Sequence, residues 1–374
     1  MFIKYKTNNR FTGYLAIKAG FTTLLAGIFI IFTFVGCDHN LKADFNLAID
    51  SEKPNYAGIK NTTKGHFDSV LWTIRGHTFR EDSKFEAYFP FAGQHEIRLV
   101  VSNDSDHDTI IKKVNITRDD PDYLNKLKPV WEENFNGEQL NMRCWSFATG
   151  AHGWGNQELQ NYTKGDNLTL KNGKLTIDIL KVDNKKEPGS YTSSRIHTSG
   201  KKEFQYGRIE ARAKLPSGKG IWAAIWMLGS NIDSVGWPAC GEMDIMEYVG
   251  FEPNTIHSTV HIPAGYAGNG DGSNMEVKTC EENFHTYGML WTPSELVFYV
   301  DSIRNVVHTY APNPKNADNW PLNQPAFIIL NVAVGGTWGG LEGVDNTIFP
   351  QTMEIDHVKV YQAPYIIKNH KQYD

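Results

Sequence analysis

The chain has 374 residues, 40% hydrophobic and 12% aromatic, enough apolar material for a sizeable core and room for two or three domains, and not the composition of a disordered chain. Its formal net charge of −5, with no long Lys/Arg run, argues against a nucleic-acid partner. Thirty-three glycines, sixteen prolines and sixteen tyrosines, with little helical periodicity, point to a turn-rich all-β protein.

At the start of the chain Lys4, Lys6, Arg10 and Lys18 form a basic lead, followed by the apolar run FTTLLAGIFIIFTFVG at 21–36, which stops at Cys37. The run is short against the ~20 residues of a bilayer span and suits the core of an export signal. FVGC resembles a bacterial lipobox. That resemblance implies a signal peptide at 1–36, lipidation of Cys37, a tether at 37–44, and an exported protein held by an N-terminal lipid anchor in the bacterial cell envelope, at the outer membrane or cell surface. Cys144, Cys240 and Cys280 then remain, an odd set without metal-type spacing. They read as small buried residues, with one bridged pair left open.

Residues 45–118 alternate in short segments. HEIRLVVSN puts Ile97, Leu99 and Val101 on one face, Val114 and Ile116 continue the pattern, and FAGQ and NDSDHD punctuate it. This is the spacing of a small β-sandwich. The stretch VLWTIRG…FEAYFPFAGQHEIRLVVSN resembles the immunoglobulin-like PKD module, which implies a spacer. Residues 119–129 are polar, contain two prolines, and read as a linker. From 130 to 364 no break in composition occurs: LTLKNGKLTIDILK, YGRIEARAKL, ELVFYVD, FIILNVAVGG and MEIDHVKVYQ succeed one another as alternating strands. Lys171-Asn172-Gly173-Lys174 marks a hairpin between two of them. These residues are expected to form one large antiparallel sandwich or barrel, with a tail at 365–374.

Within that domain, GEMDIMEYVG (241–250) places Glu242, Asp244 and Glu247 in an otherwise largely apolar strand. Residues two apart share a strand face, so Glu242 and Asp244 point the same way. A regular strand would send Glu247 into the opposite layer, where an unpaired carboxylate is costly. A β-bulge between Asp244 and Glu247 returns it to their face. Aligned carboxylates repel and serve stability poorly, whereas glycoside hydrolysis needs one ionised and one protonated carboxyl. Retention calls for ~5–5.5 Å between them and inversion for ~6.5–9.5 Å. Strand geometry sets the two Glu backbones ~13 Å apart, so the side chains must lean inward over Asp244.

GEMDIMEYVG, with VGWPAC before it, resembles the active-site strand of glycoside hydrolase family 16 in its bulged form. HGWGNQELQNYT, YTSSRIHTSGKKEFQYGRIEARAKLPSGKGIWAAIWML, HSTVH, FHTYGMLWTP and LNVAVGGTWGG extend the similarity over nearly all of 130–362. The resemblance implies a β-jelly roll, of the concanavalin A-like type, with a cleft along a concave sheet, and a laminarinase-like enzyme that cleaves β-1,3-glucan endo-wise with retention. It makes Glu242 the nucleophile, Asp244 the assisting acid and Glu247 the acid/base. It also places Trp222, Trp226, Trp237 and Trp338 along the sugar path, where aromatic faces stack on pyranose rings, and Arg195, Asn156 and Glu158 at sugar hydroxyls. Trp154 lies in a similar glycine-rich loop. His261 falls near the acid/base. HSTVH could suggest zinc, but Thr259 and Val260 favour a strand and no Glu follows His257, which argues against a metalloprotease.

Catalysis would need no cofactor. Relatives that carry a structural calcium bind it at positions matching Asn134, Gly173 and Asp356; the amide at Asn134, where an acid is usual, argues against tight binding. The expected partner is β-glucan, acted on by a monomer. Mixed-linkage β-1,3-1,4-glucan and red-algal galactan stay open as substrates, as does transglycosylation. A non-catalytic glycan-binding lipoprotein is the rival reading, though it would be expected to lack one of the acids.

Overall fold

The computed structural model describes residues 41–81 and 84–367. The signal at 1–36, Cys37, the first residues of the tether and the end of the tail beyond 367 lie outside the described residues.

The first sandwich consists of two four-stranded sheets. One contains Phe45–Ile49, Tyr56–Asn61, Phe85–Tyr88 and Ile366–Ile367; the other contains His77–Phe79, Ser69–Ile74, Gly93–Ser102 and His107–Ile116. Ile97, Leu99 and Val101 are fully buried between them, as their alternation requires, and Val114 and Ile116 join them. At the centre Trp72 meets Phe45 and Phe85 edge-on, with centroids 5.2 and 5.1 Å away. A large side chain buried this completely contributes roughly 1.5–3 kcal/mol.

Two stretches differ from their reading as linker and tail. Residues 119–129 bury Tyr123 and Leu127 in a small cluster with Tyr88, Phe91, Leu290 and Ala363. Asp120 accepts from Lys126 and from the Tyr88 hydroxyl, each at 2.6 Å. Two apolar residues four apart and the bonds of Asp120 together tie this polar segment in place. The stretch after Pro364 pairs Ile366 with Ala87 and Ile367 with Glu86, so the last described strand completes a sheet of the first sandwich.

The larger sandwich faces a ten-stranded sheet against an eight-stranded one, around a core that includes Trp145, Tyr191, Tyr287 and Trp291. Its hairpin Leu168–Lys171/Lys174–Lys181 turns through Asn172 (φ 54°) and Gly173 (φ 68°), the left-handed pair that two-residue turns favour. Cys144, Cys240 and Cys280 are buried free thiols. The eight-stranded sheet orders Asp271–Glu276, Thr255–His261, Glu242–Val249, Ile221–Gly229, Ala326–Val334, Arg195–His197 and Ser146–Ala148 side by side, with Glu203–Phe204 paired to Ala326–Val334. The acid strand therefore lies inside the sheet, and the polar side chains of its neighbours share its outer face.

Candidate active site

Glu242 pairs with His261 and Asp244 with Thr259; the register then shifts, and Glu247 pairs with His257. On the other side Asp244 opposes Trp226 and Glu247 opposes Ala224. The bulge thus falls at Ile245 and Met246, both buried in the core. One extra residue directed inward brings Glu247 back to the face of Glu242 and Asp244, which accounts for their uneven spacing.

Burial raises the pKa of all three acids. Glu247 is pushed up to about 7, first by burial and then by the charge of Glu242, against an opposing hydrogen bond from Trp222. Glu242 also reaches about 7 through burial, while Trp237, the Arg195 charge and Asp244 pull it back. Asp244 stands well above the usual carboxylate range because it is buried and lies beside both glutamates. Its neutral form is therefore the favoured one beside Glu242. Arg195 favours ionisation of Glu242, and that ionisation in turn holds the proton on Glu247.

Each glutamate takes one indole N–H. Trp237 Nε1 donates to Glu242 Oε2 at 2.6 Å and Trp222 Nε1 to Glu247 Oε1 at 3.0 Å. Trp237 is 44% exposed and meets Tyr266 edge-on at 5.3 Å. Trp222 meets Trp338 edge-on at 5.5 Å, and Trp338 in turn contacts His257 at 4.9 Å. The four expected tryptophans therefore divide: Trp237 stands beside Glu242, Trp222 and Trp338 beside Glu247, and Trp226 between them, opposite Asp244.

Arg195 is held between the rings of Trp154 and Trp226, 4.8 Å from each centroid, a cation–π arrangement that fixes the guanidinium without neutralising it. Trp226 is fixed in turn, because its Nε1 donates to Asn331 Oδ1 at 2.7 Å and Asn331 Nδ2 donates to the Tyr162 hydroxyl at 3.1 Å. Glu158, only 5% exposed, lies beneath this layer. Its carboxylate accepts from Asn156 (3.1 Å), Gln160 (2.6 Å) and Tyr162 (3.4 Å). Three of the carboxylate's roughly four acceptor sites are thus engaged inside the protein, which makes Glu158 a support beneath the floor. Asn156 reaches the site through that bond.

His261 also departs from its expected place. The antiparallel register puts it opposite Glu242, with Nε2 3.4 Å from Asp244 Oδ2, and gives the position opposite Glu247 to His257. His257 Nε2 is bonded to Glu252 at 3.0 Å. Among the described residues, ligand atoms of Glu242, Asp244 and His261 lie within 4.8 Å of one another, an O, O, N set of the kind divalent transition ions take. An ion there would occupy the nucleophile position.

The residues suggested for calcium lie on the other sheet and its N-terminal approach. Asp356 is engaged by Arg212 Nε at 3.4 Å and by His357 Nδ1 at 3.0 Å, and a Cβ on Gly173 would meet Asn136 Oδ1 at 2.9 Å. The single carboxylate of the set is thus shared with a guanidinium and an imidazole.

Sequence reading missed Asn331, Tyr162, Gln160 and Tyr266. Asn331 had a signal, being the lone polar residue in the apolar run FIILNVAV, where a buried amide needs partners. Tyr266 had none beyond its loop.

Residues 154–358 match the family model described as Glycosyl hydrolases family 16. The chain is 41% identical over 247 residues to a beta-glucanase of Rhodothermus marinus, covering 62% of this chain and 84% of that protein. It is 36% identical over 247 residues to a glucan endo-1,3-beta-glucosidase of Cryptopygus antarcticus, covering 61% of this chain and 90% of the other. Among solved structures, a laminarinase from Flavobacterium sp. UMI-01 shares 49% identity with a TM-score of 0.59, over 63% of this chain and 100% of that one.

Proposed function

The chain belongs to glycosyl hydrolases family 16, and from that premise we propose that it is a retaining endo-β-1,3-glucanase acting on laminarin-type glucan. The observation that carries the mechanism is the asymmetry around two carboxyls on one sheet face: Arg195 favours the ionised form of Glu242, and Glu242 favours the protonated form of Glu247. Glu242 attacks the anomeric carbon while Glu247 protonates the departing glycosidic oxygen. Glu247, now a carboxylate, takes a proton from the water that opens the glycosyl ester and releases the sugar. Asp244, in its favoured neutral form beside Glu242, moderates the charge of the nucleophile before attack and of the carboxylate when it leaves. The reaction needs no cofactor.

Incubation with laminarin, lichenan, agarose and carrageenan, scored by new reducing ends, should give laminarin the highest rate. Early NMR of the product should show the β-anomer. Bound laminarin without turnover would support the glycan-binding rival, and an initial α-anomer would refute retention.

The basic lead, the apolar run and FVGC before Cys37 support an exported lipoprotein, with the PKD-like sandwich as a spacer between anchor and cleft. Globomycin should block maturation. Unaltered processing in Cys37→Ala would rule the anchor out.

A further inference from the structure

The hairpin Ser69–Ile74/His77–Phe79 turns through two residues, Arg75 (φ 51°) and Gly76 (φ 77°). Asn, Asp or Gly is usual at the first of these positions, and a long β-carbon-bearing side chain there is strained. The Arg75 side chain is partly buried in the seam between the two sandwiches, where Nη1 donates to the carbonyls of Tyr88 and Pro364, each at 3.2 Å. Among the described residues no carboxylate pairs with it; the ionisable groups that act on it are the phenols of Tyr123 and Tyr88.

Arg75 lines a cavity of about 220 Å³ together with His77 and His95 from the first sandwich and Gln205, Tyr206 and Gln362 from the second. Phe91 and Tyr123 complete its aromatic wall. His77 is held by stacking on Tyr365 at 4.3 Å, and His95 Nε2 donates to the Phe91 carbonyl at 2.8 Å. The lining therefore gathers a guanidinium and two imidazoles without an acid. A cation withdrawn from water without a counter-charge is costly, and a guanidinium is the side chain best shaped to bind planar or tetrahedral oxyanions. The volume is below the ~300 Å³ at which sites for drug-sized ligands begin, which leaves room for one small anion or one sugar unit.

We propose that this inter-sandwich cavity binds a small oxyanion, sulfate or carboxylate, free or carried on a single sugar unit. The site is separate from the carboxylate cleft. A ligand in it contacts both sandwiches, so its occupation stabilises their docking.

The test is calorimetric titration of the purified protein with sodium sulfate, sodium glucuronate and glucose, at constant ionic strength set with sodium chloride. Saturable binding of sulfate or glucuronate and none of glucose is expected, with a rise in Tm on binding. Sulfate tighter than glucuronate identifies a free oxyanion; glucuronate tighter identifies a sugar-borne one. Arg75→Gln should weaken binding about tenfold or more. His77→Gln, a milder change on the same hairpin, should weaken it severalfold and keeps the test open where Arg75→Gln disturbs folding. Laminarin hydrolysis should be unchanged in His77→Gln. Absence of saturable binding by both anions, equal binding of glucose, or full affinity in both variants would overturn the proposal.

Discussion

Glu242 and Glu247 are the same residue type on the same strand face, each with one indole donor, yet their surroundings differ. Glu242 has an exposed tryptophan, a fixed cation at charge–charge range and, next to it, a buried aspartic acid whose neutral form is favoured. Glu247 is 8% exposed and bounded by Trp222, and the charge that acts on it is the negative one of Glu242. The backbone delivers two equivalent carboxyls and the neighbouring strands make them unequal, so that one suits attack and the other proton transfer.

The largest effect should come from removing the attacker. Glu242→Ala should lower kcat on laminarin by about 10⁴-fold or more. With an activated aryl glycoside, azide should restore a weak reaction giving the inverted glycosyl azide. Glu247→Ala should lose about 10²–10⁴-fold on laminarin but much less on an aryl glycoside whose leaving group needs no proton. Azide should there give the retained product. Identical azide stereochemistry in the two variants would break the distinction between the carboxyls.

The opposed faces of the acid strand were legible in the sequence because the period of a strand is two and the spacing of the acids is not. So was the Asn172-Gly173 turn, where residue type and backbone sign coincide. Which histidine faces which acid was not legible. It depends on the antiparallel register between Glu242–Val249 and Thr255–His261, and alternation alone does not fix that offset. The inward placement of Glu158 was hidden for a similar reason: its donors Gln160 and Tyr162 are near in sequence, but only their packing under Trp226 and Asn331 buries the carboxylate. The strand at Ile366–Ile367 is too short to carry a periodic signal, and its partner lies some 280 residues earlier.

The burial of Glu247 also predicts a pH-dependent stability. A carboxyl whose folded pKa, about 7, stands above its ordinary 4.5 binds its proton more tightly in the folded state. Its favourable contribution is intact below the unfolded value and is lost as pH rises through the folded one. Glu247→Gln, which carries no charge, should therefore gain on the wild type between pH 4.5 and 7 by about 3 kcal/mol. Denaturant titrations at pH 4.5 and 8 would measure the difference. A gap independent of pH would mean that the carboxylate is solvated despite its burial.

The finest separation of the two glutamates comes from their indole donors. Hydrolysis needs Glu242 ionised and Glu247 protonated, so kcat/KM should be bell-shaped in pH, with the acid limb governed mainly by Glu242 and the basic limb by Glu247. Trp237→Phe and Trp222→Phe each remove one N–H that stabilises a carboxylate, and each should raise the pKa of the acid it served by about one unit. The two shifts share a sign but act on opposite limbs. Trp237→Phe should move the acid limb to higher pH and narrow the bell, whereas Trp222→Phe should move the basic limb to higher pH and widen it. If both variants moved the same limb, the carboxyls would be titrating as one shared site, and the unequal surroundings on the strand would not be what assigns their roles.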